Sequence, residues 1–257
     1  MIAPDSHKGR TVLITGASAG LGEALAEAYA AAGARLVLAA RRTDLLEAVA
    51  ERLRSAGTEA IAVPMDVTDE ASVRAAYDTA TEHFGLIDTV IANAGINAQG
   101  TAVGIAEETF EAIVDVNLTG AFRTLREGGR RLLEAGPDAA ARGRMLVIGS
   151  LGSLNALQGL VAYSSSKAGA AMLARGLARE WARHGISVNA ICPGYMLTDI
   201  TRDWFDTDAG QRMVDRFPRR RLMPVEAVMP LALYLTSDVG GYVTGDVIKI
   251  DDAQMVG

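Results

Sequence analysis

The chain has 257 residues, 49% of them hydrophobic, and no Pro/Ser-rich linker, charged block or break in composition divides it, so a single domain with one large core is expected. Lys and Arg number 25 against 31 Asp and Glu; the formal net charge of -6 argues against a nucleic-acid partner, and no apolar stretch approaches the roughly 18 residues that span a membrane. The opening MIAPDSHKGR lacks the apolar run of a secretory signal, Cys192 alone excludes an intrachain disulfide, and His7, His83 and His184 are too scattered for a zinc site, so cytoplasmic residence without a bound metal is expected.

Short aliphatic runs alternate with longer helical patterns, the rhythm of a parallel sheet covered by helices. The first run, TVLIT at 11–15, is apolar at successive positions, as strands buried on both faces are. It leads into TGASAGLG and a helix from Leu21. Gly16, Gly20 and Gly22 permit tight turns, Ser18 offers a hydroxyl, and the free amides around Leu21 at the helix start can face an anionic diphosphate. The loop lacks the Gly-Lys-Ser/Thr ending of a nucleoside triphosphate site. The second strand, RLVLAA at 35–40, runs into Arg41 and Arg42 and a helix from Asp44. The third, AIAVP at 60–64, precedes Asp66, placed either to receive an adenine amino proton or to cap the helix from Glu70, and Val67, an apolar contact for the ring. The fourth, DTVIAN at 88–93, ends in Asn93, Ala94 and Gly95, which leave room for adenosine and ribose or simply make a turn. All of these fall beyond strand carboxyl ends, where open sheets bind dinucleotides.

After a helix from Glu107, the fifth strand, RMLVIGS at 144–150, ends on Ser150, and the helix from Ala162 opens with YSSSK. Tyr163 and Lys167 are four residues apart and share a helix face. A phenol titrates near 10, so an adjacent ammonium is expected to lower its pKa and also to hold a ribose hydroxyl. Ser150 can donate to a substrate oxygen from the other side, and Tyr163 can deliver or accept the proton as a carbonyl is reduced or an alcohol oxidised. Ser153, Ser164, Ser165 and Ser166 are expected to satisfy local backbone groups. Ser150 lies in IGSLG, not in G-x-S-x-G, which disfavours a serine hydrolase. The remaining strands are SVNAIC at 187–192 and DVIKI at 246–250. The interval between them carries a helix from Val225 and an aromatic stretch, predicted either as a substrate-loop extension at 195–222 or as surface packing. With Ser150 and Tyr163, the expected substrate lining is Leu151, Leu157, Tyr195, Met196, Trp204 and Phe205, largely apolar. The fold expected is α/β: a single-domain, Rossmann-like, doubly wound sheet of seven mainly parallel strands flanked by helices.

Taken in this order, TGASAGLG, Asn-Ala-Gly at 93–95, Ser150 with Y-S-S-S-K, and CPGYMLT at 192–198 resemble the classical short-chain dehydrogenase/reductase family over essentially the full length. The resemblance implies that Asn117 in DVNLTG completes a tetrad with Ser150, Tyr163 and Lys167, that Pro193 and Gly194 shape the nicotinamide loop, and that Thr198 contacts the carboxamide or diphosphate. It implies a homo-tetramer, a dimer being the alternative. Two departures stand out: Ala92 replaces an asparagine often found before the Ala-Gly pair, and DDAQ at 251–254 replaces an Asp-Gly-Gly ending, a change expected to alter tetramer contacts. At the end of the second strand Ala40 stands where the family often has Asp, and Arg41 follows. Arg41, with Arg42 assisting or solvated, suits a 2'-phosphate, so NADP(H) is expected to be preferred, with NAD(H) possible. The expected activity is hydride transfer between NADP(H) and a secondary alcohol or carbonyl. The alternatives are an NAD(H)-preferring polyol or sugar-acid dehydrogenase and a non-catalytic dinucleotide-binding regulator. Arg219, Arg220 and Arg221 suit an acidic substrate, a solvated surface or a subunit contact.

Overall fold

The computed structural model describes residues 5–255; residues 1–4, the head of the opening segment, and 256–257 lie outside the described residues. The strands are β1 (Thr11–Thr15), β2 (Arg35–Ala40), β3 (Ala60–Pro64), β4 (Thr89–Ala92), β5 (Arg144–Ile148), β6 (Ser187–Pro193) and β7 (Val247–Ile250). They form one seven-stranded sheet in the order β3-β2-β1-β4-β5-β6-β7. Every pairing among the described residues is parallel, so "mainly parallel" becomes wholly parallel. The central strands β1, β5 and β6 are buried at every residue, as continuous apolar runs require. Edge strand β3 ends on Pro64, which has no amide to offer a further neighbour.

The helices are α1 (Gly20–Ala31), α2 (Thr43–Ser55), α3 (Glu70–Phe84), α4 (Glu107–Val114), α5 (Gly120–Glu134), α6 (Pro137–Ala141), α7 (Val161–Trp181), α8 (Asp199–Phe205), α9 (Asp208–Arg216) and α10 (Met229–Thr236). The helix expected from Val225 opens as a 3-10 turn, Val225–Val228, before α10 begins. Successive strand residues point to opposite faces, and the two faces bury different helices. Leu13, Val37 and Val90 pack with Tyr77 of α3, Leu125 of α5 and Ala170 of α7. Val12, Ile14, Leu36 and Leu38 pack with Leu25 of α1, Leu46 of α2 and Leu235 of α10. Each fully buried Leu, Ile or Val contributes about 1.5–3 kcal/mol, so this doubly covered sheet is the rigid base from which the loops project.

The chain runs outward from β1 to β3 and returns to β4 on the other side of β1. The loops after β1 and β4 therefore diverge, opening the crevice in which doubly wound sheets hold their ligands.

Candidate active site

At this crevice Gly16 and Gly20 adopt φ of +68° and +60°, and a Cβ on Gly22 would press into the Gly16 carbonyl oxygen, so the loop closes only with glycine. α1 starts from Ala19 without a side-chain cap, whereas Asp69 caps α3 and Thr207 caps α9. The first-turn amides of α1 thus remain free for an anion, as a diphosphate site needs. The Ser18 hydroxyl accepts a hydrogen bond from Arg42 Nη2 at 3.0 Å. Arg41 is exposed at the same strand end. Burial would raise the Asp66 carboxyl, but hydrogen bonds from Thr68 and the charges of Arg41 and Arg123 hold it below its ordinary range. Free helix amides flanked by two guanidinium groups fit a dinucleotide carrying an additional phosphate.

Other residues expected around the adenosine also hold the scaffold. Asn93 Nδ2 donates to the Thr15 carbonyl at 2.8 Å, and Thr15 Oγ1 accepts from the amides of Asn93 and Ala94, each at 3.0 Å. Asn93 and Thr15 thus lace the β4 loop to the phosphate loop, a role invisible in sequence because 78 residues separate them. The Val67 side chain is buried in the core against Gly120, where an added Cβ would stand 2.7 Å from Val67 Cγ2. Asp66 Oδ1 accepts from Thr68 N and Oγ1 at 3.0 and 2.7 Å, an Asx turn leading into α3, while Asp69 is the true cap.

The four tetrad candidates come from three elements. α4 and α5 form one helix interrupted by a π turn, Asp115–Thr119, and the widened turn carries the buried Asn117. Asn117 Oδ1 accepts from Ile96 N at 2.8 Å, and Nδ2 donates to Ile96 O and Ser166 Oγ, each at 3.0 Å. A Cβ on Gly95 would lie 3.2 Å from Asn117 Oδ1 and 3.3 Å from Lys167 Nζ, so the β4 loop rests on both groups. Lys167, 4% exposed, donates from Nζ to the Ile148 carbonyl at 2.8 Å and lies 5.9 Å from the Tyr163 ring centre. Ser150 Oγ accepts from Gly152 N at 3.1 Å at the start of the 3-10 turn Leu151–Ser153. Ser153, expected to serve only its neighbours, accepts from Ser150 N at 3.1 Å and donates to the Lys167 carbonyl, fourteen residues on, at 2.9 Å. It joins the end of β5 to α7.

The expectation that Lys167 lowers the phenol is overturned by burial. Removal from water pushes Tyr163 above the ordinary phenol range, against a downward pull from the Ser150 hydroxyl, and brings Lys167 down from 10.5 to about 8. Desolvation disfavours both charged forms and is the leading cause of each shift. The protein alone therefore keeps the phenol protonated near neutral pH, the state that donates.

On the substrate side, Leu151 is 1% exposed beneath the turn and Leu157 lies beside Gly152. Tyr195 follows β6, whose end pairs with the end of β5 just before Ser150, and burial, then Tyr163, raises its phenol. Its ring stacks on Phe217 at 5.7 Å and meets Phe205 edge-on at 6.0 Å. Phe205 is 2% exposed and touches Trp204, so it forms the core of the helical segment and not its open lining; Trp204 keeps partial exposure. Met196 pairs with Met223 through the backbone and packs on the core. Thr198 caps α8 together with Thr201, while Pro193 ends β6 and Gly194 abuts Asp251 and Gln254. Arg219 and Arg221 pair with Asp252 at 2.8 and 2.6 Å. Among the described residues no His, Cys, Asp and Glu cluster suits a metal ion, and no helix is long and apolar enough to cross a membrane.

Residues 10–209 match the family model described as short chain dehydrogenase. The chain is 32% identical over 248 residues to the 3-oxoacyl-[acyl-carrier-protein] reductase MabA of Mycobacterium tuberculosis, covering 96% of this chain and 94% of that protein. It is 30% identical over 246 residues to the corresponding reductase FabG of Escherichia coli, covering 96% and 97%. A putative gluconate dehydrogenase from Agrobacterium tumefaciens superposes with a TM-score of 0.93 at 32% identity over 99% of this chain and all of that one. The chain belongs to the classical short-chain dehydrogenase/reductase family and is an NAD(P)-dependent oxidoreductase acting on carbonyl or alcohol substrates.

Proposed function

We propose that the protein is an NADP(H)-preferring reductase of a carbonyl compound with an apolar substituent, a small 3-oxoacyl thioester being the class that fits best. The observation that carries this is the convergence of Ser150, whose turn is tied to α7 by the Ser153–Lys167 hydrogen bond, with the half-buried Tyr163 and the buried Lys167 of that helix. The dinucleotide supplies the hydride when bound, and the α1 amides, Ser18, Arg41 and Arg42 hold its phosphates. Ser150 Oγ donates a hydrogen bond to the carbonyl oxygen, and Tyr163 Oη delivers the proton as charge develops there. Lys167 Nζ stabilises the phenolate left behind, and Asn117 fixes the β4 loop on which that lysine packs. Segment 195–222 serves as the substrate loop, with Tyr195 and Trp204 as its contacts. A homo-tetramer in the cytoplasm, within a single domain over 1–257, completes the proposal. MabA and FabG are named as 3-oxoacyl reductases and support the substrate class. NADPH oxidation is followed with acetoacetyl-N-acetylcysteamine, 5-ketogluconate and a cyclic diketone; the highest kcat/KM with the thioester is expected, and a preference for 5-ketogluconate overturns the substrate assignment in favour of a sugar-acid enzyme.

A further inference from the structure

The DDAQ ending does not project away from the chain; it folds back onto the substrate-side loop. Gln254, 6% exposed, accepts from Tyr195 N through Oε1 at 2.6 Å and donates from Nε2 to Tyr195 O at 3.0 Å and Arg221 O at 3.5 Å. One amide thus satisfies both backbone groups of Tyr195, on the loop that leaves β6 beside the end of β5 and Ser150. Gly194 has no room for a Cβ, which would press on Gln254 Oε1 and the Asp251 backbone. Two residues earlier, the Asp252 carboxylate receives Arg219 Nη1 on Oδ1 at 2.8 Å and Arg221 Nε on Oδ2 at 2.6 Å, so it holds the chain that leaves α9.

The backbone here is held away from its preferred state. Four described non-glycine residues have positive φ, and three of them flank this contact: Arg220 at +49°, Asp252 at +49° and Ala253 at +66°. Such conformations persist in L-residues when surrounding interactions over-determine them. Asp251 supplies part of that hold, accepting from Ala253 N at 3.2 Å and Met255 N at 3.0 Å. A glycine at 252 would relax the turn but would carry no carboxylate for the arginines.

We propose that the Asp252–Gln254 turn is a latch that positions Tyr195 and the α8–α9 segment beside the tetrad and thereby sets which substrates the site accepts. Gln254 acts through Tyr195, and Asp252 through Arg219 and Arg221; neither touches the reacting atoms. This rests on the reading of Tyr195 and 195–222 as the substrate loop.

The test uses Asp252→Asn and Asp252→Gly in the full chain, since both replacements adopt left-handed backbone at least as readily as Asp and add no strain. Limited trypsin digestion after Arg219 and Arg221 reports the latch without any substrate. Wild type is expected to be cut slowly at low salt and faster in about 0.5 M NaCl, because the pairs are partly solvated and screened. Both variants are expected to be cut roughly fivefold faster at low salt, with no further response to NaCl, the ratio set by a solvent-screened pair. Their KM for acetoacetyl-N-acetylcysteamine should rise roughly five- to tenfold with kcat within about twofold, since positioning of the bound substrate is lost while the proton donor is intact. The NADPH dissociation constant should stay at the wild-type value, and the thermal midpoint should not fall. Gln254→Asn, too short to span both Tyr195 groups, should reproduce the KM rise while keeping the salt response. Equal digestion rates overturn the latch. Faster digestion with unchanged KM overturns its role in substrate choice, as does a thermal midpoint that falls in step with digestion. If wild type fails to reduce the thioester, the substrate assignment falls, and the digestion result still decides the latch.

Discussion

Replacing Lys167 by Met should make the protein more stable at neutral pH while stopping turnover. Burial brings the ammonium from 10.5 to about 8, so its charged form is disfavoured in the folded chain. At about 1.4 kcal/mol for each pH unit, that displacement amounts to about 3 kcal/mol. Met fills much of the same volume, but removing Nζ leaves the Ile148 carbonyl without its donor, a loss of about 1 kcal/mol. The net gain is about 2 kcal/mol, or about 4–8 °C in the thermal midpoint for a chain of this size. Because the folded pKa lies below the unfolded one, the unfolded chain binds more protons between about pH 8 and 10.5, and wild-type stability rises with pH through that window. The advantage of Lys167→Met should therefore be fully present below pH 8 and fade by about pH 10.5. Thermal unfolding followed by circular dichroism at pH 7 and 10.5, at one protein concentration, measures it. A variant no more stable than wild type at pH 7 refutes the assignment of Lys167 as a charge held at energetic cost.

At the phosphate end, Arg41→Ala and Arg42→Ala should each lower the ratio of kcat/KM for NADPH over NADH by roughly ten- to a hundredfold, the effect of losing one charge-assisted contact of about 1.5–3 kcal/mol. A ratio unmoved in both variants, measured at fixed ionic strength, removes the 2'-phosphate assignment. Ala253→Gly should raise stability by about 1 kcal/mol, because φ of +66° suits glycine and strains alanine. Denaturant unfolding checks this, and an unchanged or lower midpoint contradicts the strain.

The repetitive parts of the fold were legible because sheet burial repeats locally. Runs such as Val12 to Ile14 and Val188 to Cys192 announce doubly covered strands without any knowledge of their neighbours. Ser150, Tyr163 and Lys167 were legible for a similar reason, since a strand end and an i,i+4 spacing place them. What escaped depends on partners far along the chain. Thr15 and Asn93 look like ordinary strand-end residues until the order switch brings β1 beside β4. Val67 read as a ring contact and Phe205 as substrate lining, yet both are drawn into packing, by Gly120 and by Tyr195 with Trp204. The DDAQ ending read only as a change in subunit contacts, and spacing did not reveal that Asp252 and Gln254 also reach Arg221 and Tyr195, because the end of β7 lies beside the end of β6. The lowering expected of the Tyr163 phenol failed on burial, which spacing alone does not reveal.

Proton delivery by Tyr163 to a carbonyl oxygen is tested most directly by single-turnover oxidation of enzyme-bound NADPH with acetoacetyl-N-acetylcysteamine in wild type and Tyr163→Phe. Removing one positioned acid is expected to slow that step by roughly 10²–10⁴-fold while the NADPH dissociation constant stays within about threefold, because the phosphate and helix contacts are untouched. A Tyr163→Phe enzyme that oxidises NADPH at the wild-type rate contradicts the mechanism.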